Sequence, residues 1–144
     1  MNKKNLLSIL AGLIATLVLG WLVYDVMLKN YFAANSMEGF TKPSDEFIWW
    51  AGILGALAAA CLLVYVQNLA GANNFKRGAM IGMWVSLLMA LSYDFYFYSG
   101  TNLMKTPELI CVDGIACAVQ GFITGGVIGW VRGMVDKPAS SATA

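Results

Sequence analysis

Three carboxylates lie within or at the end of otherwise uncharged apolar runs, and they are the residues of this chain best suited to do chemistry. Asp25 sits in "LVYDVML", Asp94 in "LSYDFYFYSGTN", and Asp113 near the start of the last long apolar run. An ionisable group inside a membrane costs several kcal/mol unless it is paired or hydrated, so something must satisfy each of them. Two directly follow a tyrosine, Tyr24 and Tyr93. With Asn102 these tyrosines would supply hydroxyl and amide neighbours to an acidic site, which suits a cation, a proton or a polar solute. The competing expectation is local pairing. Lys29 follows Asp25 by four positions, a spacing that puts both on one helix face, and its long stem lets the ammonium reach the headgroups. The hydroxyls of Tyr93 or Tyr96, or Lys105, would do the same for Asp94.

The last run carries a longer polar pattern. Asp113, Cys117, Gln120 and Thr124 are spaced i, i+4, i+7 and i+11, which places all four within about 60° of one another on a helix. Such a stripe either lines a polar pathway or turns inward and hydrogen-bonds neighbouring helices; the second is the commoner use in membranes and is the expectation here. Beside it, Gly121, Gly125, Gly129 and Gly133 recur every four residues. Glycines at this spacing let another backbone approach closely, so that van der Waals contact replaces the hydrophobic drive that is missing in lipid. A shorter version, Gly52, Gly55 and the small run from Ala56 to Ala60, marks the second apolar run. Its expected mate is the last helix of the same chain or its own copy in an oligomer.

The elements that must position these residues follow from composition. Of 144 residues 59% are hydrophobic and 12% charged, against roughly 45–50% apolar in a soluble domain, and the mean hydropathy is +0.67. A net charge of +1 with no histidine excludes a nucleic-acid footprint and any imidazole-based site. Four windows reach the ~20 apolar residues that a bilayer span needs. These are residues 6–28, broken by Asp25; 47–66, uncharged; 78–98, containing Asp94; and 109–131, containing Asp113. All four read as helices, because membrane strands would alternate polar and apolar residues. The first run exceeds the ~7–15 residues of a signal-peptide core and reads as an uncleaved span.

Orientation follows from the basic residues. Lys3, Lys4, Lys76, Arg77, Arg132 and Lys137 fall on the side of both termini, and Lys29, Lys42 and Lys105 on the other. The positive-inside rule then puts the termini in the cytoplasm and the two remaining connectors outside, in an inner-membrane protein. Tyr24, Tyr31, Phe32, Phe47, Trp49, Trp50 and the cluster from Phe95 to Tyr98 mark the outer interface; Tyr65 and Trp130 mark the inner one. On this placement Asp25, Asp94 and Asp113 share one depth, near the outer ends of three helices. The two successive hairpins enter the membrane in one direction, and each opens with a helix that closes on Tyr-Asp, the pattern of a parallel duplication.

Cys61, Cys111 and Cys117 are odd in number and read as small buried hydrophobes. No phosphate loop, catalytic triad or metal spacing is present, so no cofactor, metal or enzymatic activity is expected. Residues 1–135 read as one transmembrane domain and 136–144 as a disordered tail.

The stretches "GWLVYDVML", "LLMALSYDFYFYSGTNL" and "GGVIGWVRGM" resemble a family of small, uncharacterised bacterial proteins with four transmembrane helices, a domain of unknown function. The resemblance implies a four-span fold in the inner membrane and brings no known catalytic residues. The expected fold is therefore an all-α integral membrane protein, a four-helix bundle, with two parallel-repeat hairpins as its simplest plan. The expected function is a non-enzymatic protein packing through its glycine faces, as a homo-oligomer or an accessory subunit of a membrane complex, with lipid and other membrane proteins as partners and no nucleic acid. The alternative is a small transporter or channel with an acidic site on the outer side. An enzyme acting on a lipid or quinone ranks third, resting only on the carboxylates and aromatics at one interface.

Overall fold

The computed structural model describes residues 2–39, 42–43 and 45–136, with the backbone alone for Asp136. Most of the expected tail, and Lys137 of the charge comparison, lie outside the described residues. Helix α1 spans Lys3–Gly20 and runs on without a break into a π-helical segment, Trp21–Met27; a short α2 spans Lys29–Asn35. Helices α3, Trp49–Leu69, α4, Phe75–Gly100, and α5, Glu108–Asp136, complete the chain. Four helical stretches, Lys3–Met27, Trp49–Leu69, Phe75–Gly100 and Glu108–Val135, are long and apolar enough to cross a membrane. The protein is thus an all-α multi-pass membrane protein built on a four-helix bundle.

Each spanning helix departs from its apolar window by a few residues at one or both ends. Hydropathy stops counting at the first polar residue, whereas backbone hydrogen bonding continues into the interface until a cap ends it. At the start of α4, Asn74 accepts from the Arg77 N–H at 2.9 Å, so Lys76 and Arg77 belong to the helix. At the end of α3, Gly71 takes a left-handed φ of 62°. The Ala72 N–H then reaches the Gln67 carbonyl at 2.9 Å and the Gly71 N–H that of Asn68 at 3.2 Å, the Schellman pattern that glycine makes possible. Helix α2 lies between the first two apolar windows, where no element was expected: seven residues with two aromatics produce no apolar run for a hydropathy window to detect.

Helices α4 and α5 form the tightest pair, α1 packs on α5 and α3, and α3 touches α4 and α5 only lightly. Helix α5 is the central element: 39% of its most apolar window is buried, against 11–22% in the other three. Leu63, Val64 and Ile128 form the apolar core, with Ile9 and Val85 against it. Gly12 of α1 admits Ile128, whose Cδ1 would lie 2.8 Å from an added Cβ, and the Ala60 methyl at 3.2 Å. Large side chains such as Ile14, Leu69, Trp84 and Ile115 face outward, as lipid-facing positions must.

The glycines of α5 find their mate in α4. An added Cβ on Gly82 would lie 2.8 Å from the Gly125 Cα and would strike the Gly121 carbonyl. One on Gly78 would lie 2.9 Å from the Gly129 Cα, and Gly129 and Gly133 lie against the backbones of Asn74 and Asn73. The glycines of α3 do not join this seam. Gly52 has the Phe47 ring beside it, with its Cζ 3.1 Å from an added Cβ, and Gly55 has nothing within 4 Å.

Candidate functional site

The π-helical segment brings Tyr24 into the bundle. Its i→i+5 winding, closed by the Leu28 N–H on the Val23 carbonyl at 2.9 Å, is wider than an α-helix, a local irregularity that recurs at functional sites. The Tyr24 hydroxyl donates to Asp113 Oδ1 of α5 at 2.8 Å and lies 3.0 Å from Cys117 Sγ. The Cys117 thiol in turn points at Asp113 Oδ2, at 3.7 Å. Asp113 is thereby oriented from α1 and from its own helix at once.

Asp94 of α4 is buried, 6% exposed, and faces Asp113 across the α4–α5 pair. Its Oδ2 is buried without a hydrogen-bond partner among the described residues. None of the partners expected for it bonds to it among the described residues: Tyr93 and Tyr96 are 56% and 72% exposed, and the Lys105 ammonium donates to the Ala34 carbonyl at 3.3 Å. The two Tyr-Asp pairs are therefore not equivalent. In the first the tyrosine enters the site and Asp25 is exposed; in the second the aspartate enters and Tyr93 is exposed.

Asp94 and Asp113 both line two cavities. The larger, about 940 Å³, also takes in Tyr24, Phe32, Phe97, Leu103, Met104 and Leu109 on its walls, with Asp25, Lys29 and Lys42. The last three are exposed and form the rim, while Asp94, Asp113 and Tyr24 form the floor. No ion pair joins Asp25 to Lys29 among the described residues. The i,i+4 rule assumes continuous α-helix, and here a π segment and a break at Leu28 intervene. The smaller cavity, about 290 Å³, continues along α5 past Cys117, Gln120 and Thr124, with Thr16, Ser86 and Tyr93 across from them. Gln120 donates to the Thr16 carbonyl at 3.3 Å; the Thr124 hydroxyl, on a residue 2% exposed, has no partner among the described residues.

Helix α2 roofs the larger cavity. The Met37 N–H donates to the Leu103 carbonyl at 2.8 Å and the Lys105 N–H to that of Asn35 at 2.9 Å, around a bridge pairing Ser36 with Met104. The Phe32 ring meets Tyr24 edge to face at 5.4 Å. Backbone pairing thus fastens the roof to the α4–α5 connection. Asn102, in that connection, is exposed and lines neither cavity.

Sequence reasoning missed Gln67 and the role of Arg132. Gln67 is fully buried and donates to the carbonyls of Gly125 at 2.9 Å and Gly78 at 3.3 Å, tying α3 to the glycine seam. It stands one position past the second apolar window, the one sequence signal that could have singled it out. Arg132, read only as an orienting charge, is 3% exposed, and its Nε donates to the Ala72 carbonyl at 2.9 Å. Its guanidinium also reaches Asn5 at 3.4 Å and Asn73 at 3.5 Å, joining α1, the α3–α4 turn and α5 at the end that carries the N-terminus. Among the cysteines, Cys61 and Cys111 are exposed rather than buried, on helix faces turned to lipid, while Cys117 is half-buried against Tyr24 and Asp113. Among the described residues no cluster of His, Cys, Asp or Glu is placed to hold a metal ion.

Fold and site together define a four-helix membrane protein with two carboxyls meeting inside the bundle beneath a roofed cavity. The chain belongs to the protein family of unknown function DUF1761, whose model matches residues 7–129, a range that takes in both carboxyls and most of every spanning helix. No curated protein and no solved structure matches it.

Proposed function

We propose that this protein is a small, non-enzymatic transporter that takes up a cationic solute or a cation at Asp94 and Asp113 from the outer side of the inner membrane. The observation that carries the reading is the meeting of these two carboxyls, from two helices, at the junction of the two cavities. Two carboxylates side by side in a low dielectric repel each other, and a bound positive charge relieves the repulsion. The smaller cavity, with Gln120 and the unpartnered Thr124 hydroxyl, offers the bound charge a polar continuation toward the middle of the membrane. The positive-inside count supports termini in the cytoplasm and a cavity that opens outward.

Flux of cations into proteoliposomes tests it. Uptake by the wild-type protein should fall at least tenfold in Asp94→Asn and in Asp113→Asn; flux unchanged in both variants would sink the reading.

Assembly into a homo-oligomer or a larger membrane complex draws support from a different observation, the open face at Gly55. The α5 glycines lend it none, because α4 already fills their seam. Crosslinking in lipid that captures the wild-type dimer but not Gly55→Leu would favour assembly; identical crosslinking of both would argue against this face.

A further inference from the structure

We infer that the larger cavity takes an organic ammonium, a molecule with an apolar body and a protonated amine, rather than a bare inorganic ion; this rests on the transport reading above. A cavity of about 940 Å³ has the size of a small-molecule site, and such sites are mainly apolar with a few convergent polar groups. Its walls are Phe32, Phe97, Leu103, Met104 and Leu109, and its floor is Asp94 and Asp113 with the Tyr24 hydroxyl. A hard inorganic cation is held by six or more oxygen ligands around it, whereas the residues above the floor, Ser36 aside, are mainly aromatic and aliphatic. An ammonium group donates N–H bonds to carboxylates, and its attached carbon skeleton fills the aromatic and aliphatic space above them. The Tyr24, Phe32 and Phe97 rings also favour a cation near their faces.

Two further observations point to a ligand at the floor. Asp94 is 6% exposed, and its Oδ2 has no partner among the described residues while the residue lines the cavity. The carboxyl it belongs to lies beside Asp113, so the pair presents more acceptor capacity than the described residues satisfy. The second is the distribution of charge: the lysines of this cavity, Lys29 and Lys42, are exposed, as is Asp25, whereas Asp94 is buried, and no lysine or arginine pairs with Asp94 or Asp113 among the described residues. A ligand entering amine-first leaves its apolar end between the walls and under the α2 roof.

The experiment is calorimetric binding to the full chain in lipid nanodiscs, with 2-phenylethylamine, uncharged 2-phenylethanol, zwitterionic phenylalanine and sodium chloride as probes. The expected result is saturable binding of phenylethylamine, at least tenfold weaker binding of phenylethanol and phenylalanine, and at least a tenfold loss with Asp94→Asn or Asp113→Asn. Phe97→Ala, which leaves both carboxyls in place, should weaken the amine several-fold, so the proposal stays open to test where an aspartate variant does not fold. Asp45→Asn serves as the charge-matched control and should bind as the wild type does. Sodium binding that depends on Asp94 and Asp113, without amine binding, would overturn the ligand class and leave the transport reading standing. Phenylalanine binding more tightly than phenylethylamine would overturn it too, because the rim lysines would then be reading a carboxylate. Binding of no probe, or amine binding indifferent to both aspartates, would remove the ligand class and the acidic site together.

Discussion

Helices α4 and α5 meet in two different ways along their length. Toward the end that carries the N-terminus, Gly78 and Gly82 interlock with Gly121, Gly125 and Gly129 so closely that no Cβ fits. Toward the α2 end, the same two helices carry Asp94 and Asp113 against cavities. One half of the pair is mainly backbone contact and the other is built around space. The difference teaches how a small membrane protein sustains a polar interior. Contact energy from a close glycine seam offsets the cost of leaving a carboxyl oxygen unpartnered a few turns away.

Breaking the seam should have the largest effect. Gly82→Leu puts a side chain into the Gly121 carbonyl and the Gly125 Cα, which are backbone and cannot step aside. A loss of about 3 kcal/mol is expected, read as a lower melting temperature of the protein in detergent. Gly55→Leu, on the open face of α3, should change the melting temperature of the monomer hardly at all, and a comparable loss there would mean that the seam is not special.

Filling the other half should act in the opposite sense. Asp94→Leu removes a buried carboxyl and replaces it with apolar volume, so the protein should become more stable by about 1–2 kcal/mol while solute uptake is abolished. Unchanged or lowered stability with retained uptake would refute the view that this half of the pair gives up stability for function. Tyr24→Phe is a milder version. It leaves Asp113 Oδ1 without its donor, costing about 1 kcal/mol, and should weaken solute binding without abolishing it, measured by titration in nanodiscs. The smallest effect is expected at Gln67→Leu, where the bonds to the Gly78 and Gly125 carbonyls are lost; interhelical hydrogen bonds in membranes average about 0.6 kcal/mol, within reach of steric-trap or denaturation measurements.

The four spans and their order were readable from apolar run length and from the position of each charge. The polar face of α5 was readable too, since Asp113, Cys117, Gln120 and Thr124 all line the smaller cavity. Helical periodicity places residues on a face without any knowledge of the partner. What sequence does not carry is which face meets which neighbour. The mate of the Gly121–Gly133 row is α4 because Gly78 and Gly82 lie at matching heights in an antiparallel hairpin, a three-dimensional register that no window detects. The π segment escaped for a related reason: nothing in "WLVYDVM" differs in composition from α-helix, yet its winding sends Tyr24 inward and breaks the Asp25–Lys29 spacing. Asp25 and Asp94, alike in sequence, ended as rim and floor.

The roof over the larger cavity is fastened by main-chain hydrogen bonds, Met37 to Leu103 and Lys105 to Asn35. Those bonds are blind to side-chain identity. The residues that project from the roof are therefore free to change during evolution without loosening it, so long as proline is kept from the donating positions. Substitutions in one short helix can thereby reshape the cavity wall, while the glycine seam below, where almost no replacement fits, holds the frame constant.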